Sequence, residues 1–500
     1  MGQEPKKVDR RNFLYAGLGA IALVAIGAAA YIAMNPPVVT VTQSTIVPTT
    51  SIVTTTMQTT VPTTTIVTTT VPTTTVITTS KPQEKLTVLW GTEFVASEQL
   101  AMVNNVRKFE EKTGIKVDIT FLTYAEVRTK FLAMLEAKTP PDVANSQSFG
   151  LVLPAWRGQL EDLSDLFTSD IKNDMHPVCL ETVTMFDSTK KKKSLYAVPV
   201  FLNSNYVSYW DDLMKEAGYP NIPDDFDGYW DAFKNAQKKL NKPDLYAIGW
   251  PLSEATRDTP DTFEQLLLCH GVKILTENLL LNVDDMKFRD AVKTSLDFLV
   301  KLYNQGYIPP GSTTWDSSGN NKALLGRNTL MTSNATLSIP ASLYETDRDA
   351  YYNKLKTIHW PKGPGGIIPP YYWESRSAVI PKGAKVELAK EFLSFIMKKE
   401  NYDPWIKGTL GRYLPMYKST LEDSFYNDPK DPHRTSSAKY LKERPQVAYS
   451  SNVSPAAGQW VVEAGWAKMM SRVLIDKWDI DKAVEEAFER IKQINQEYKI

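Results

Sequence analysis

From Asn12 to Ser80 the chain carries no Asp, Glu, Lys or Arg, and this charge-free stretch divides into two physically different halves. The first, Phe13 to Met34, reads FLYAGLGAIALVAIGAAAYIAM and is apolar or small throughout. A helix of that length rises far enough to cross the hydrocarbon core of a bilayer, so residues 12–34 read as a transmembrane anchor or a long signal segment. The second half, from about Pro36 to Ser80, is mostly Thr with Val, Ile and Pro, repeating VPTTT at Val61 and Val71 and VPTTS at Val47. It has no aromatic residue with which to build a core, so residues 35–82 read as a spacer, and the globular fold has to begin after it.

Lys6, Lys7, Arg10 and Arg11 crowd the short tail at 1–11. The positive-inside tendency keeps such a tail in the cytoplasm and sends everything after Met34 outside. Arg10-Arg11-Asn12-Phe13-Leu14 resembles the twin-arginine export signal, which implies export of a folded protein. Ala28-Ala29-Ala30 offers a small-residue cleavage site with no Cys nearby to receive a lipid, and an uncleaved anchor is the simpler reading. In the spacer, crowded β-branched residues and recurrent Pro favour extended backbone, and at about 3.1 Å per residue it reaches roughly 140 Å as a stalk. Dense Thr with Pro also suits O-glycosylation.

From about Lys81 the composition is that of a globular protein, and a body this long fits two lobes better than one core. Taking the tail's four basic and two acidic residues from the chain's 57 and 57 leaves the body near −2. A basic nucleic-acid footprint is absent from such a balance, and the run Lys190 to Lys193 reads as a solvated loop. The two cysteines, Cys179 and Cys269, are too few for a disulfide framework. Two buried thiols are expected, with a single disulfide as the alternative. His176-x-x-Cys179 and Cys269-His270 hold zinc-ligand types, but adjacent Cys and His rarely point at one ion, so no metal and no cofactor is expected.

The body opens with a strand over Leu86–Trp90, then an amphipathic helix carrying Leu100, Val103, Val106 and Phe109 at helical spacing, stopped by Gly114. Ile115 to Phe121 alternates as a second strand, and Tyr124 to Lys138 is a second helix closed by Pro140-Pro141. Strand, helix, strand, helix argues for a largely parallel α/β sheet with both faces covered. Ligands of such sheets bind beyond the carboxyl ends of strands, here Trp90 to Glu93 and the residues after Asp142-Val143.

FEEKTGIKVDITFL followed by a helix and TPPDVAN is similar to the opening of family 1 extracellular solute-binding proteins of ABC importers, whose best-known relatives bind maltose and maltodextrins. The likeness continues in order through LYAVPVFLNSNYVSYWDDLMKEAGYP, YAIGWPLS at Tyr246, LLGRNTLMTSNAT at Leu324, SAVIPKGAKVELAKEFLSFIM at Ser377, GRYLPMYKS at Gly411 and a closing helix over Ile480–Tyr498. It covers nearly all of 84–500, and the anchor with its Thr-rich stalk resembles archaeal membrane-tethered members. The resemblance implies a two-lobed, periplasmic-binding-protein-like α/β fold with several interlobe crossings, closing over a solute by a hinge. Crossings near 199–206, 368–376 and 425–440 would give one lobe 84–200 and 373–425, and the other 201–370 and 430–500. It also implies a monomer that delivers its solute to permease subunits with separate ATPase subunits, and that does no chemistry itself.

The 12 Trp and 23 Tyr suit a sugar, whose C–H faces take aromatic rings and whose hydroxyls take carboxylates and amides. In the aligned segments Trp90, Trp250, Trp373 and Trp460 are the expected ring platforms. Glu93, Asn145, Gln147, Asn203, Asn334, Glu374 and Arg376 are the expected polar partners. Asn334-Ala-Thr336 and Asn452-Val-Ser454 are also N-glycosylation sequons. Two rival functions remain open. Tyr371-Tyr372 is similar to the paired tyrosines that hold ferric ion in some proteins of this architecture. A secreted glycosidase would need two carboxylates about a scissile bond, and Asp211-Asp212, Asp224-Asp225 and Asp284-Asp285 are acid pairs that helix and turn roles also explain.

Overall fold

The computed structural model describes residues 84–92 and 94–499. The tail, the apolar segment 12–34, the Thr/Pro spacer and Glu93 lie outside the described residues. Among the described residues no helix is long and apolar enough to cross a membrane.

Twelve strands follow one another along the described chain: β1 (Lys85–Gly91), β2 (Lys116–Leu122), β3 (Val143–Gln147), β4 (Thr184–Asp187), β5 (Lys192–Leu195), β6 (Val198–Ser204), β7 (Tyr206–Trp210), β8 (Tyr246–Ile248), β9 (Thr329–Asn334), β10 (Leu355–Ile358), β11 (Tyr371–Val379) and β12 (Gln446–Ala448). β1 pairs in parallel with both β2 and β3, the arrangement that strand–helix–strand connections produce. The first connecting helix, Ala96–Thr113, ends where Gly114 takes a left-handed φ of 75° and closes back on the Glu110 carbonyl. Its buried stripe is Glu98, Met102, Asn105, Val106 and Phe109. Leu100, expected inside, is exposed because it lies about half a turn from that stripe, on the opposite face of the helix. The second helix, Tyr124–Glu136, starts on a capping box in which Thr123 and Glu126 satisfy each other's backbone N–H groups.

β11 joins the sheet from much later in the chain. It runs antiparallel to β3 and to β6 and parallel to β12. Since β6 covers 373–378 along one edge, β3 and β12 share the other edge end to end. β7, β8, β9 and β10 form a separate sheet ordered β10-β7-β9-β8. Two lobes result. The first packs Trp90, Phe109, Phe201, Trp373, Phe392 and Trp405 into its core, and the second packs Trp230, Trp250, Phe263, Trp360, Trp466 and Phe488. The basic run 190–193 lies at the tip of the β4–β5 hairpin.

The chain passes between lobes at Asn205, which separates β6 from β7. The Asn205 amide donates to the Asp261 carbonyl, and its own carbonyl accepts from Trp360 Nε1. It passes back between β10 and β11. A third passage follows Ala448, later than the expected 425–440. β12 still hydrogen-bonds to the first sheet, and Ala438 and Leu441 pack in the first core, so 434–448 belongs with the first lobe and not with 430–500. Likewise β6 keeps the first lobe intact to Ser204 instead of ending it at 200. Cys179 lies in the first core and Cys269 in the second; both are free, and the disulfide alternative is not formed.

Candidate functional site

Along β11 side chains alternate between faces, so Tyr371 and Trp373 point one way and Tyr372, Glu374 and Arg376 the other. Trp373 packs with Tyr371 at 5.8 Å and edge-on to Tyr206 at 6.2 Å in the first core. The second set turns toward groups of the other lobe. Glu374 Oε2 accepts from Asn203 Nδ2 (3.2 Å) and from Arg376 Nη1 (3.1 Å), and Asn203 Nδ2 also donates to the Ala335 carbonyl. The Arg376 guanidinium lies 4.5 Å from the Tyr124 ring centre. That ring sits against the end of β1, where Gly91 gives it room: a Cβ at 91 would collide with Tyr124 Cδ1.

The second lobe contributes the helix Asp258–Cys269, every residue of which is buried. Arg257, at its N-cap, donates from Nε to Asp261 Oδ1 (2.6 Å) and from Nη2 to Ser451 Oγ (2.9 Å). Its guanidinium lies 4.5 Å from the Phe149 ring and 5.3 Å from Tyr449. Burial opposes the Arg257 charge, and the carboxylates of Asp261, Glu374 and Glu264 more than offset it, raising its pKa. One turn on, Glu264 accepts from the hydroxyl of Tyr372, from Ser450 Oγ (2.8 Å) and from Trp466 Nε1 (2.9 Å), tying the helix to β11 and to the C-terminal segment.

Between these elements lies a cavity of about 200 Å³ whose lining includes Tyr124, Arg128, Gln147, Phe149, Thr256 and Arg257. It joins the carboxyl end of β3 to the start of the buried helix of the other lobe, where α/β sheets bind ligands. In its lining Arg257 Nη1 is buried without a hydrogen-bond partner, and so, on groups joined to the lining through Arg376–Tyr124, Arg257–Asp261 and Arg257–Tyr449, are Asn203 Oδ1, Glu374 Oε1, Asp261 Oδ2 and the Tyr449 hydroxyl, as well as both amide atoms of Asn145 and Asn452. A buried polar atom left without a partner costs stability, so those in contact with the lining are candidates for a ligand's hydrogen bonds.

Of the residues expected from sequence, Asn203, Glu374 and Arg376 are brought into direct contact. Register sets Gln147 beside Arg376, and Asn145 two residues earlier on the same face. The four tryptophans are otherwise placed. Trp90 packs on Trp405 (5.6 Å), Trp250 stacks on Trp360 (5.6 Å, 15°), and Trp460 packs against Trp466 (5.2 Å). With Trp373 they pack in the two cores, and the rings in the cavity lining are Tyr124 and Phe149, with Tyr449 against the Arg257 guanidinium. Asn334 spends its Nδ2 on Asn321 Oδ1 and Ser338 Oγ. Glu93 lies outside the described residues. Arg128, Arg257, Asp261 and Tyr449 escaped the sequence reading. The only signal for the first three was a cation or acid on a helix, which ordinarily means a solvated face.

The rival arrangements fare poorly on geometry. Tyr371 stacks on Tyr440 and Tyr372 on Tyr449, on opposite faces of one strand, so the two phenols cannot share an iron. The acid pairs are held in other roles: Asp211 by Lys215 and Lys356, Asp212 by Arg327, Asp224 by Lys362, and Asp225 and Asp285 as helix caps. Both sequon asparagines are buried, Asn334 at 7% and Asn452 at 0% exposure, so neither has room for a glycan in the folded protein.

Residues 104–435 match the family described as bacterial extracellular solute-binding protein. An uncharacterized lipoprotein in the oleD 5′ region of Streptomyces antibioticus is 30% identical over 146 residues, 29% of this chain and 31% of that protein. The diacetylchitobiose binding protein DasA of Streptomyces coelicolor is 27% identical over 143 residues, 29% of this chain and 32% of that protein. The chain thus spans about a third of the length of the curated relatives it matches. An ABC transporter solute-binding protein from Thermotoga lettingae TMO, solved with bound alpha-D-tagatose, superimposes with a TM-score of 0.68 at 21% identity over 82% of this chain and 100% of that one. At that identity the likeness establishes the fold, a two-lobed α/β binding-protein architecture. With a family match across most of the body, the chain belongs to the bacterial extracellular solute-binding proteins.

Proposed function

We propose that this protein is the extracytoplasmic receptor of an ABC importer, capturing a sugar or oligosaccharide between its lobes and handing it to membrane permease subunits driven by separate ATPases. The observation that carries the reading is the interlobe cavity lined by the rings of Tyr124 and Phe149 with Arg128, Gln147 and Arg257, and joined through the Arg376–Tyr124 contact to Glu374 and Asn203, whose Oε1 and Oδ1 are buried without partners. Hydroxyls of a sugar would satisfy Asn203 Oδ1, Glu374 Oε1, Asp261 Oδ2 and the Asn145 amide, while its C–H faces lie on the rings. The diacetylchitobiose for which DasA is named and the tagatose in the Thermotoga structure lend support. Rotation about Asn205, the β10–β11 connection and the segment after Ala448 would open the cleft for entry, and closure would present one surface to the permease.

The charge-free N-terminal stretch completes the proposal: segment 12–34 anchors the receptor with its tail in the cytoplasm, and the Thr/Pro spacer holds the trap at high effective concentration near its permease. Titration calorimetry of the full-length chain in detergent against mono- and oligosaccharides, ferric ion and peptides tests the ligand class. Saturable heat with a sugar supports the reading, and binding of another class without any sugar removes it. Release of smaller sugars from an oligosaccharide would mark an enzyme instead. An N-terminal sequence beginning near Ala30 in the native protein would remove the anchor.

A further inference from the structure

We propose that the sugar is an acidic one, a hexuronate or short oligouronide whose carboxylate is held by Arg128 and Arg257; this inference rests on the sugar-receptor reading above. Arg128 projects from the helix Tyr124–Glu136 into the lining of the interlobe cavity. Among the described residues nothing accepts a hydrogen bond or forms an ion pair with it. It lies over the Phe149 ring at 4.8 Å, and a Cβ on Gly150 would press on its stem at 3.1 Å, so the absence of a side chain at 150 lets it lie there. Burial first, and then the charge of Arg257, lowers its pKa, as expected for a guanidinium whose charge nothing nearby balances.

Arg257 lines the same cavity from the opposite lobe and is nine-tenths buried. Two of its nitrogens are engaged by Asp261 and Ser451, and Nη1 meets no acceptor. Three helices also begin at this cavity, at Tyr124, Phe149 and Asp258, and the N-terminal ends of their dipoles add partial positive charge. The nearby acids lie about Arg257 and Arg376: Asp261 is paired with Arg257, Glu374 with Arg376, and Asp258 and Glu264 accept from neutral groups, so Arg257 is balanced and the cation left over is Arg128, with Glu254 exposed at the cavity edge. A planar monoanion matches what remains: one free guanidinium and one free edge of another, on opposing lobes, so that its carboxylate favours closure. A phosphate dianion would carry a second charge toward Asp261 and Glu374.

The test is calorimetry on the full-length chain in detergent with matched pairs: D-glucuronate against D-glucose, D-galacturonate against D-galactose, their disaccharides, and glucose 6-phosphate. The best acidic ligand should bind roughly 10- to 100-fold tighter than its neutral partner, the range a charge-assisted contact supplies. Salt should narrow that advantage. Arg128→Gln should collapse the ratio and Arg128→Lys restore part of it, with both variants melting near the parent temperature. A neutral sugar that binds as tightly as its uronate, with no loss of preference in R128Q, overturns the acidic assignment and leaves the sugar receptor standing. Glucose 6-phosphate outbinding every uronate overturns the carboxylate. Failure of every sugar overturns both readings.

Discussion

The two faces of β11 differ: one is aromatic and uncharged, and the other carries an ion pair. One places Tyr371 and Trp373 among rings of the first core, where the packing is ring on ring and the Tyr371 hydroxyl and Trp373 Nε1 are buried without a partner. The other places Tyr372, Glu374 and Arg376 against the buried helix of the opposite lobe, where charges face one another and several acceptors have no donor. Both faces are fully buried, so burial alone does not tell a core from a site. The difference lies in charge: one face carries the Glu374–Arg376 ion pair, and the other, Tyr371, Trp373, Ser375, Ser377 and Val379, carries no carboxylate or guanidinium.

The comparison can be broken most sharply at Trp373. Trp373→Ala removes a fully buried indole and should lower the unfolding free energy by about 3–5 kcal/mol, read from urea denaturation. A loss of ligand affinity at unchanged stability would put this ring in the cleft and erase the distinction between the faces.

A second test uses a buried polar group that the fold does satisfy. The His433 imidazole donates from Nε2 to the Tyr351 carbonyl and accepts at Nδ1 from Thr357 Oγ1, so it is complete when neutral. Burial lowers its pKa to about 4 from 6.5, and burial with the nearby Lys418 does the same for His176. Between those values the unfolded chain takes up protons that the fold refuses. Stability is therefore whole above about pH 6.5 and falls as pH drops toward 4, by up to roughly 3 kcal/mol for each histidine. Melting temperature against pH should show that slope, and His433→Gln should flatten it. A slope unchanged in H433Q would mean the residue titrates normally.

The smallest effect on stability belongs to Asn145, whose amide has no partner in the fold. Asn145→Leu should shift unfolding by less than about 1 kcal/mol, in either direction, because no hydrogen bond is lost. The same variant should bind sugar about tenfold more weakly. A large loss of stability with ligand affinity intact would place Asn145 with the core.

The alternation of β1 and β2 and the glycine stop at Gly114 were legible as a parallel α/β opening, because they depend on neighbours in sequence. Glu374, Arg376 and Asn203 were named from the segments that carry the family likeness, and the structure brings them into contact because β11 pairs with β6. The four tryptophans were named from the aligned segments, and the structure packs them in the two cores, a direction that the segments do not carry: Trp373 is adjacent to Glu374, and adjacent strand residues cannot share a face. The stack of Trp250 on Trp360 joins positions more than a hundred residues apart, which no local pattern reveals. Arg128 and Arg257 were invisible for the converse reason, since a lone arginine on a helix looks solvated until another lobe covers it.

The two buried sequons set an order of events in biosynthesis. An oligosaccharyltransferase that met this polypeptide before it folded would load Asn334 or Asn452 with a group their finished surroundings have no space for, and the product could not complete its core. Native receptor is therefore compatible only with folding ahead of glycan transfer at these sites, or with a secretion route on which no such transferase reaches the nascent chain.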